Sequence, residues 1–139
     1  RKPGNSPFEF SDPLCVCKDS VINFAKDVLE EVMMLFPSPY IHIGGDECKR
    51  SVWLTSSICN NLMDTEKIKS KIGLQNYFNK QLEVFINAKG RKLIGWDEIL
   101  EEGTLSKKSL VMSWRGEAGG IEAANEGHEV VMSPSSHCY

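Results

Sequence analysis

Two adjacent carboxylates, Asp46 and Glu47, follow an apolar stretch and two glycines in the segment YIHIGGDECKR, which begins at Tyr40. Two carboxyl groups held close together do not ionise independently, so one of them is expected to stay protonated near neutral pH. A protonated acid beside an ionised partner is suited to general acid catalysis. The glycines allow the backbone to bend and leave room for a ligand. The alternative is that the two acids only cap the start of a helix.

Two tryptophans occupy comparable positions further along the chain. Trp96 ends the apolar segment KLIGW and is followed by Asp97 and Glu98, and Trp114 ends the segment LVMSW. Pyranose rings present flat C–H faces that pack on aromatic rings, so aromatic residues near a carboxylate pair suggest a sugar site. Taken singly, each tryptophan is equally compatible with an ordinary place in the core.

The elements that must position these residues follow from hydrophobic periodicity. Strands are predicted near Ile43, Ile94, Met112 and Val131, and a helical pattern separates each from the next. Helices are predicted over 20–36 and 74–89, with shorter ones over 98–102 and in GGIEAANEG, while LCVC is predicted as a short strand and 46–72 as a long polar segment. This alternation predicts an α/β fold with a parallel sheet and right-handed crossovers. The predicted buried stripes of the two long helices are Val21, Phe24, Ala25, Val28, Val32 and Leu35, and Leu74, Tyr77, Phe78, Leu82, Phe85 and Ile86.

In parallel α/β folds, ligands bind at the carboxyl ends of the strands. The polar and aromatic residues singled out above all follow predicted strand ends, and the segment from Ser133 to Tyr139 follows the last one. We therefore expect these residues to share one site.

Composition narrows the class of protein. The 139-residue chain has the length of one domain, and its 41% hydrophobic and 25% charged residues are typical of a globular protein. The net charge of −3 and the short basic segment KIKSK predict a solvated surface, with no nucleic acid as partner. No apolar run is long enough to span a membrane, and no signal peptide is visible. Because the first residue is Arg1, we expect a processed product or an excised piece.

Five cysteines are present, and no C-x-x-C pair occurs among them: Cys15, Cys17, Cys48, Cys59 and Cys138. The odd number and the spacing favour free thiols over a disulfide framework or a zinc site. They do not decide the cellular compartment.

Other chemistries receive less support. The segment RGEAGG does not match the dinucleotide-binding pattern, and no G-x-S-x-G elbow indicates a serine hydrolase. His42, Asp46 and Glu47 are possible metal ligands, but their spacing is not a standard one. We therefore expect neither a metal nor a cofactor. His128 and His137 are predicted to be surface or packing residues.

The motifs together resemble a known family. HIGGDE at 42–47 is similar to the signature of the family 20 glycoside hydrolases, the β-N-acetylhexosaminidases, and the resemblance continues through GWDEIL, MSWRG and SPSSHCY in the same order. It implies a (β/α)8 barrel and removal of terminal β-linked N-acetylglucosamine or N-acetylgalactosamine with retention. It also implies that no protein nucleophile is used, because the substrate's own 2-acetamido oxygen attacks the anomeric carbon.

The resemblance implies roles for individual residues. Glu47 would be the general acid and then the base, and Asp46 would orient the acetamido group and stabilise the oxazolinium intermediate. Trp96 and Trp114 would form walls of the pocket, and Tyr139 would hydrogen-bond the acetamido carbonyl. The remaining expected site residues are His42, as a support behind the acids, and Asp97 and Glu98, at the rim.

The chain also departs from the family pattern. A barrel of this type needs about 250 residues, and only about four strands are predicted here, corresponding to the fourth to the seventh. The family's sugar-binding arginine, a third pocket tryptophan and a substrate-binding glutamate fall outside this sequence. We therefore expect residues 1–139 to be a fragment of one catalytic domain, with residues 1–13 as a loop or linker. Such a fragment is expected to self-associate or to be marginally stable, and to have little activity alone.

Two other interpretations remain open: a non-catalytic carbohydrate-binding piece, and a metal-dependent hydrolase using His42, Asp46 and Glu47. The family resemblance is compatible with a periplasmic, secreted or lysosome-like location, but no signal in the chain identifies the compartment.

Overall fold

The structure is a computed structural model that describes residues 13–103 and 105–138. Its centre is a four-stranded parallel sheet in the order β1-β2-β3-β4. The strands are β1 (Tyr40–His42), β2 (Lys92–Trp96), β3 (Leu110–Ser113) and β4 (Val130–Met132). In register, Ile41 pairs with Leu93, Gly95 with Val111 and Met112 with Val131. All four predicted strands are therefore confirmed, in the predicted parallel arrangement.

Helices connect the strands: α1 (Asp19–Leu35), α2 (Ser57–Glu66), α3 (Lys71–Ala88), α4 (Ala118–Asn125) and the short α5 (Ser135–Cys138). Two 3₁₀ helices cover Arg50–Thr55 and Asp97–Leu100. α1 precedes β1, α3 lies between β1 and β2, and α4 lies between β3 and β4. Strand and helix alternate as in part of a (β/α)8 barrel, which confirms the predicted fold class. None of the helices in the described ranges has the length and apolar character needed to cross a membrane.

The main core lies between the sheet and its helices. Ile41, Leu93 and Val111 from neighbouring strands pack with Leu82 and Ile86 of α3. Each of these strand residues is at most 5% exposed, as expected for parallel strands that helices cover. A second cluster around Trp53 and Leu74 lies next to it and joins the segment before α1 to α2 and α3.

Several sequence predictions about local structure are wrong. Val16 and Cys17 form a turn instead of a strand, and the segment 46–72 contains the Arg50–Thr55 helix and α2. α2 was missed because its apolar residues are sparse; its start is fixed by the Ser56 hydroxyl, which accepts the backbone N–H of Cys59. Of the residues predicted as a loop, 1–13, only Pro13 is described, and it has no regular structure.

The predicted burial of α1 is also wrong. Phe24 is 58% exposed and Leu35 is 68% exposed, although both fall on the apolar stripe. The buried residues of α1 are Ile22 and Met33. Because periodicity reports only that one helix face is apolar, it does not say whether a partner covers that face.

The cysteines differ from the expectation of free thiols. Cys17 and Cys59 form a disulfide that joins the turn before α1 to α2. Cys15, Cys48 and Cys138 are unpaired. The pairing was not predicted because the two sulfurs are 42 residues apart and meet only through the packing around Trp53.

Candidate functional site

The two adjacent acids lie in a tight turn directly after β1. Hydrogen bonding to β2 continues past the strand, with Ile43 N–H donating to Ile94 at 3.0 Å and Trp96 N–H donating to Gly44 at 2.9 Å. The backbone then turns through positive φ angles of 75° at Gly44, 109° at Gly45 and 45° at Glu47. A positive φ is uncommon for a residue with a side chain. Glu47 therefore occupies a special backbone position, and the acids are placed by a turn rather than by a helix cap.

Close packing under this turn explains the glycines. A Cβ atom added to Gly45 or Gly95 would lie 2.7 Å from Cγ2 of Ile99, which is fully buried. At Gly95 the added atom would also lie 3.0 Å from the carbonyl oxygen of Gly44. The turn therefore packs directly against Ile99 and β2, and this close packing fixes its position at the carboxyl end of the sheet.

Asp46 and Glu47 are both exposed at this edge, and His42 lies just behind them at the end of β1. The His42 Nδ1 accepts the backbone N–H of Gly44 at 3.0 Å. Desolvation lowers the pKa of His42 from its ordinary value, and the negative charge of Asp46 opposes that shift. The histidine is therefore biased towards its neutral form and supports the turn through its ring nitrogen.

The tryptophans continue from His42 along the carboxyl ends of the strands. The ring centroids of His42 and Trp96 are 4.9 Å apart, and those of Trp96 and Trp114 are 6.4 Å apart, both edge to face. Both indoles are half-buried. The structure thus brings His42, Trp96 and Trp114 into one aromatic row at the edge that also carries the two acids.

Asp97 and Glu98 are not at the rim, so that prediction is wrong: they are 4% and 7% exposed. Glu98 accepts the indole N–H of Trp114 at 3.0 Å, and Asp97 accepts Arg115 Nε at 3.1 Å. Burial raises the pKa of Glu98, the Trp114 hydrogen bond opposes this, and the hydrogen bond with Asp97 adds to it. These carboxyl groups hold Trp114 and Arg115 in place, because the Asp97–Leu100 helix turns their side chains inward.

Further polar residues, which were not predicted from the sequence, belong to the same assembly. Glu101 bridges Arg115 Nη1 at 3.1 Å and Arg50 Nη1 at 2.8 Å. Arg50 Nε in turn donates to Gln75, whose Nε2 donates to the carbonyl oxygen of Gly45 at 2.8 Å. A signal for Gln75 was present: Gln75, Asn79 and Glu83 recur four residues apart on the buried face of α3.

The metal interpretation receives no geometric support. In the described ranges, the one group of three or more potential ligand side chains is Cys15, Cys17 and Cys59, two of which form the disulfide. His42, Asp46 and Glu47 do not converge as a ligand set there. The predicted site residue Tyr139 lies outside the described residues. His128 is buried and its Nδ1 lies 2.9 Å from the carbonyl oxygen of Ser109, whereas His137 is exposed.

Known proteins share this arrangement of sequence and fold. The model of the catalytic domain of glycosyl hydrolase family 20 matches residues 5–139. A β-hexosaminidase of Porphyromonas gingivalis is 51% identical over 125 residues, which cover 90% of this chain and 16% of that protein. A β-hexosaminidase of Vibrio furnissii is 34% identical over 84% of this chain and 19% of that protein.

Solved structures give the same result. The Vibrio harveyi exo-β-N-acetylglucosaminidase in complex with N-acetylglucosamine superposes with a TM-score of 0.81 at 32% identity, over 86% of this chain and 19% of that one. The Flavobacterium johnsoniae chitobiase gives 0.80 at 33% identity, over 90% and 20%. The chain thus spans about a fifth or less of the relatives it matches. On its sequence match and its fold, the chain belongs to glycosyl hydrolase family 20.

Proposed function

We propose that this chain is part of the catalytic domain of a retaining exo-β-N-acetylhexosaminidase. The observation that carries the proposal is the position of Asp46 and Glu47 in a glycine-supported turn at the carboxyl edge of the sheet, beside the Trp96–Trp114 row. Membership of family 20, whose solved members include an enzyme in complex with N-acetylglucosamine, supports a sugar substrate of that type. The substrate class is a glycan with a terminal β-linked N-acetylglucosamine or N-acetylgalactosamine.

The first step forms a ring within the substrate. Glu47 donates its proton to the glycosidic oxygen while the bond from that oxygen to the anomeric carbon breaks. The acetamido carbonyl oxygen of the same sugar attacks the anomeric carbon from the opposite face and gives an oxazolinium ion. The carboxylate of Asp46 accepts the acetamido N–H and stabilises the positive charge. Because the substrate supplies the nucleophile, the two acids need not be placed as an acid and a protein nucleophile.

The second step returns the enzyme to its starting state. Glu47, now a carboxylate, takes a proton from water, and that water's oxygen attacks the anomeric carbon. The oxazolinium ring opens, so the acetamido group is restored and the sugar keeps its configuration. Trp96 and Trp114 enclose the sugar and the acetamido methyl, and Tyr139 donates to the acetamido carbonyl. His42 supports the turn from behind.

The chain itself is proposed to be one segment of a single (β/α)8 catalytic domain, supplying its fourth to seventh strands. The two ends of its sheet, β1 and β4, each pair with a single strand in the described residues. Neighbouring strands of a closed barrel would cover these edges. The segment alone is therefore proposed to lack part of the pocket and to have little or no activity.

The test compares Glu47→Gln with wild type in the full-length protein, on an aryl β-N-acetylglucosaminide and on the matching aryl β-glucoside, which lacks the acetamido group. Wild type should hydrolyse only the first substrate, since the nucleophile is absent from the second. Loss of the general acid should lower kcat on the first by at least about 100-fold, while product binding is retained. Comparable hydrolysis of the glucoside would contradict the substrate-assisted step. An unchanged kcat in Glu47→Gln would favour a carbohydrate-binding role.

A further inference from the structure

A single buried amide holds the catalytic turn from behind. Gln75, on α3, is 6% exposed, and its Nε2 donates a 2.8 Å hydrogen bond to the carbonyl oxygen of Gly45, the residue before Asp46. The turn contains positive φ angles at both glycines and at Glu47. Glycines adopt such angles readily, but at Glu47, which carries a side chain, the conformation is strained and persists only where surrounding contacts fix it. The Gln75 amide is one such contact, reaching the turn from an element that carries no residue of the proposed mechanism.

Gln75 is in turn fixed by a chain of charged groups. Its Oε1 accepts Arg50 Nε, and Arg50 Nη1 forms a 2.8 Å ion pair with Glu101. The other Glu101 oxygen accepts Arg115 Nη1 at 3.1 Å. Arg115 Nε lies 3.1 Å from Asp97. A continuous series of hydrogen bonds therefore runs from the Gly45 carbonyl to the segment that carries Trp114.

The same segment is attached to α3 a second time. Asn76, next to Gln75 and 4% exposed, donates through Nδ2 to the carbonyl oxygens of Glu101 and Glu102, at 2.5 and 2.9 Å. The amides of two consecutive α3 residues thus tie the turn after β1 and the loop after β2 to one rigid helix. Because α3 is packed against the sheet, displacement of one loop relative to the other is opposed.

We propose that Gln75, held in place by Arg50 and Glu101, is a positioning residue that sets how far Glu47 reaches towards the leaving group. This inference rests on the proposed function, because it assigns to Gln75 an effect on the proton transfer made by Glu47. Gln75 acts only through the Gly45 carbonyl and makes no contact with substrate.

The physical argument concerns the proton donor's reach. A general acid works within hydrogen-bond distance of the atom it protonates, and a displacement of about 1 Å can lower the rate about 100-fold. A poor leaving group, such as a sugar alkoxide, needs that proton as its bond breaks. A dinitrophenolate leaves without one. A displaced Glu47 therefore slows the two substrates unequally, whereas a lower fraction of folded enzyme slows them equally.

The experiment uses Gln75→Met in the full-length protein. Methionine has nearly the shape of glutamine, but it neither donates to Gly45 nor accepts from Arg50 in the same way. We expect kcat/KM to fall about 10- to 100-fold on a disaccharide with a sugar leaving group, and less than about 3-fold on the dinitrophenyl glycoside. kcat/KM is the right quantity because it reports the steps up to the first bond cleavage.

Asn79→Leu is the matched control. Asn79 lies one helical turn along α3, is 3% exposed, and its Nδ2 has no hydrogen-bond partner in the part of the chain that the structure describes. Asn79 lines a cavity together with Gly45 and Asp46, but its amide Nδ2 donates no hydrogen bond to the turn. Its replacement therefore removes a buried amide without removing a hydrogen bond to the turn, so kcat/KM should change less than about 2-fold on either substrate. Arg50→Met should act in the same direction as Gln75→Met, and the two effects should not add, because both break one series of contacts.

Equal losses on the two substrates, or no loss on either, would overturn the inference. Failure of the proposed function is seen separately: wild type would then hydrolyse neither substrate, or Glu47→Gln would keep the wild-type dependence on leaving group. Amide hydrogen exchange tests the contact between Gln75 and the Gly45 carbonyl directly, without any measurement of enzyme turnover. The amides of Gly44 and Trp96 are hydrogen-bonded at the turn, to His42 Nδ1 and to the Gly44 carbonyl oxygen. Their exchange should be faster in Gln75→Met than in Asn79→Leu, and equal rates would overturn the positioning role whatever the activity.

Discussion

Individual buried polar residues carry much of the organisation of this segment. α3 presents Gln75, Asn76, Asn79 and Glu83 to the interior, each at most 6% exposed. A buried polar group is costly unless it is hydrogen-bonded. Gln75 and Asn76 offset that cost by donating hydrogen bonds to backbone carbonyl oxygens in the loops of the candidate site. The polar residues whose burial is unfavourable without a partner are therefore also the ones that connect α3 to the site.

Glu83 gives a prediction at this scale. Its carboxylate is 1% exposed and accepts hydrogen bonds from Lys80 Nζ at 2.6 Å, from the Ser106 backbone N–H at 2.8 Å and hydroxyl at 2.6 Å, and from the Ser109 hydroxyl at 2.8 Å. These bonds tie α3 to the loop before β3. Glu83→Gln should lower the free energy of unfolding at neutral pH by about 3 kcal/mol, because an amide cannot accept all of them. Urea unfolding of the full-length protein measures the loss.

The pH dependence of this effect has a definite sign. Burial alone raises the pKa of Glu83, but the hydrogen bonds from Lys80, Ser106 and Ser109 outweigh it, so the pKa is lowered from 4.5. The carboxylate therefore stabilises the fold above the unfolded-state pKa, and this stabilisation is lost as pH falls through the folded-state pKa. The difference between wild type and Glu83→Gln should shrink below pH 4.5. A difference that grows at acid pH would contradict this account. The control is Glu122→Gln at an exposed position, which should change the free energy of unfolding by less than about 0.5 kcal/mol.

At the scale of elements, the three cysteines near the start of α1 and α2 offer two possible disulfides. Cys59 is bonded to Cys17, and the Cys15 sulfur lies 4.0 Å from the Cys59 sulfur. The Cys15 thiolate can attack Cys59, forming a Cys15–Cys59 disulfide and releasing Cys17 as the thiolate, with no external oxidant. Either disulfide closes a loop of similar length.

The cysteine variants should therefore differ in stability. Closing the 42-residue separation stabilises the fold by about 4 kcal/mol in the loop-entropy model. Cys59→Ser removes both possible pairings and should lose most of that, whereas Cys17→Ser should lose less than about 1.5 kcal/mol, because Cys15 then pairs with Cys59. Urea unfolding in oxidising buffer measures the stability loss of each variant. Peptide mapping of Cys17→Ser should find the Cys15–Cys59 disulfide. Equal losses in the two variants would refute the exchange, with exposed, unpaired Cys138→Ser as control.

The sequence was sufficient for elements whose evidence is local. The strands and the α3 helix were predicted because apolar periodicity and flanking glycines lie within each segment, as with Gly90 after α3. Trp96 and Trp114 were predicted to lie in one site because parallel strands bring their carboxyl ends together, and their rings are 6.4 Å apart in the structure. The Cys17–Cys59 bond and the contact of Gln75 with Gly45 were not predicted, since they join residues 42 and 30 positions apart through packing that no single segment encodes.

At the scale of the whole molecule, the sheet and α1 leave apolar surface uncovered. Phe24, Val28, Met34 and Leu35 on α1 are all exposed, and Val131 and Met132 are exposed on β4. Phe24 and Val28 line a groove with His42, next to β1. Clusters of exposed apolar side chains commonly mark a surface that another element or another protein covers. Under the proposal that the chain is one segment of a barrel domain, neighbouring strands and helices cover both regions, and the stripe predicted to be buried in α1 is buried there.

The isolated chain should therefore self-associate. Size-exclusion chromatography with light scattering should give a mass above that of the monomer, rising with concentration, because apolar α1 faces and open strand edges of separate copies meet. Phe24→Asp with Val28→Asp should shift the chain towards monomer, since each aspartate must be desolvated when that face is covered. Asn23→Asp with Lys26→Gln changes the net charge by the same amount at α1 positions that face away from the Phe24–Val28 row, and should leave the association unchanged. If both double variants dissociate equally, net charge rather than the Phe24–Val28 face controls assembly. A stable wild-type monomer at every concentration would mean that the segment covers its apolar surface without the rest of a barrel.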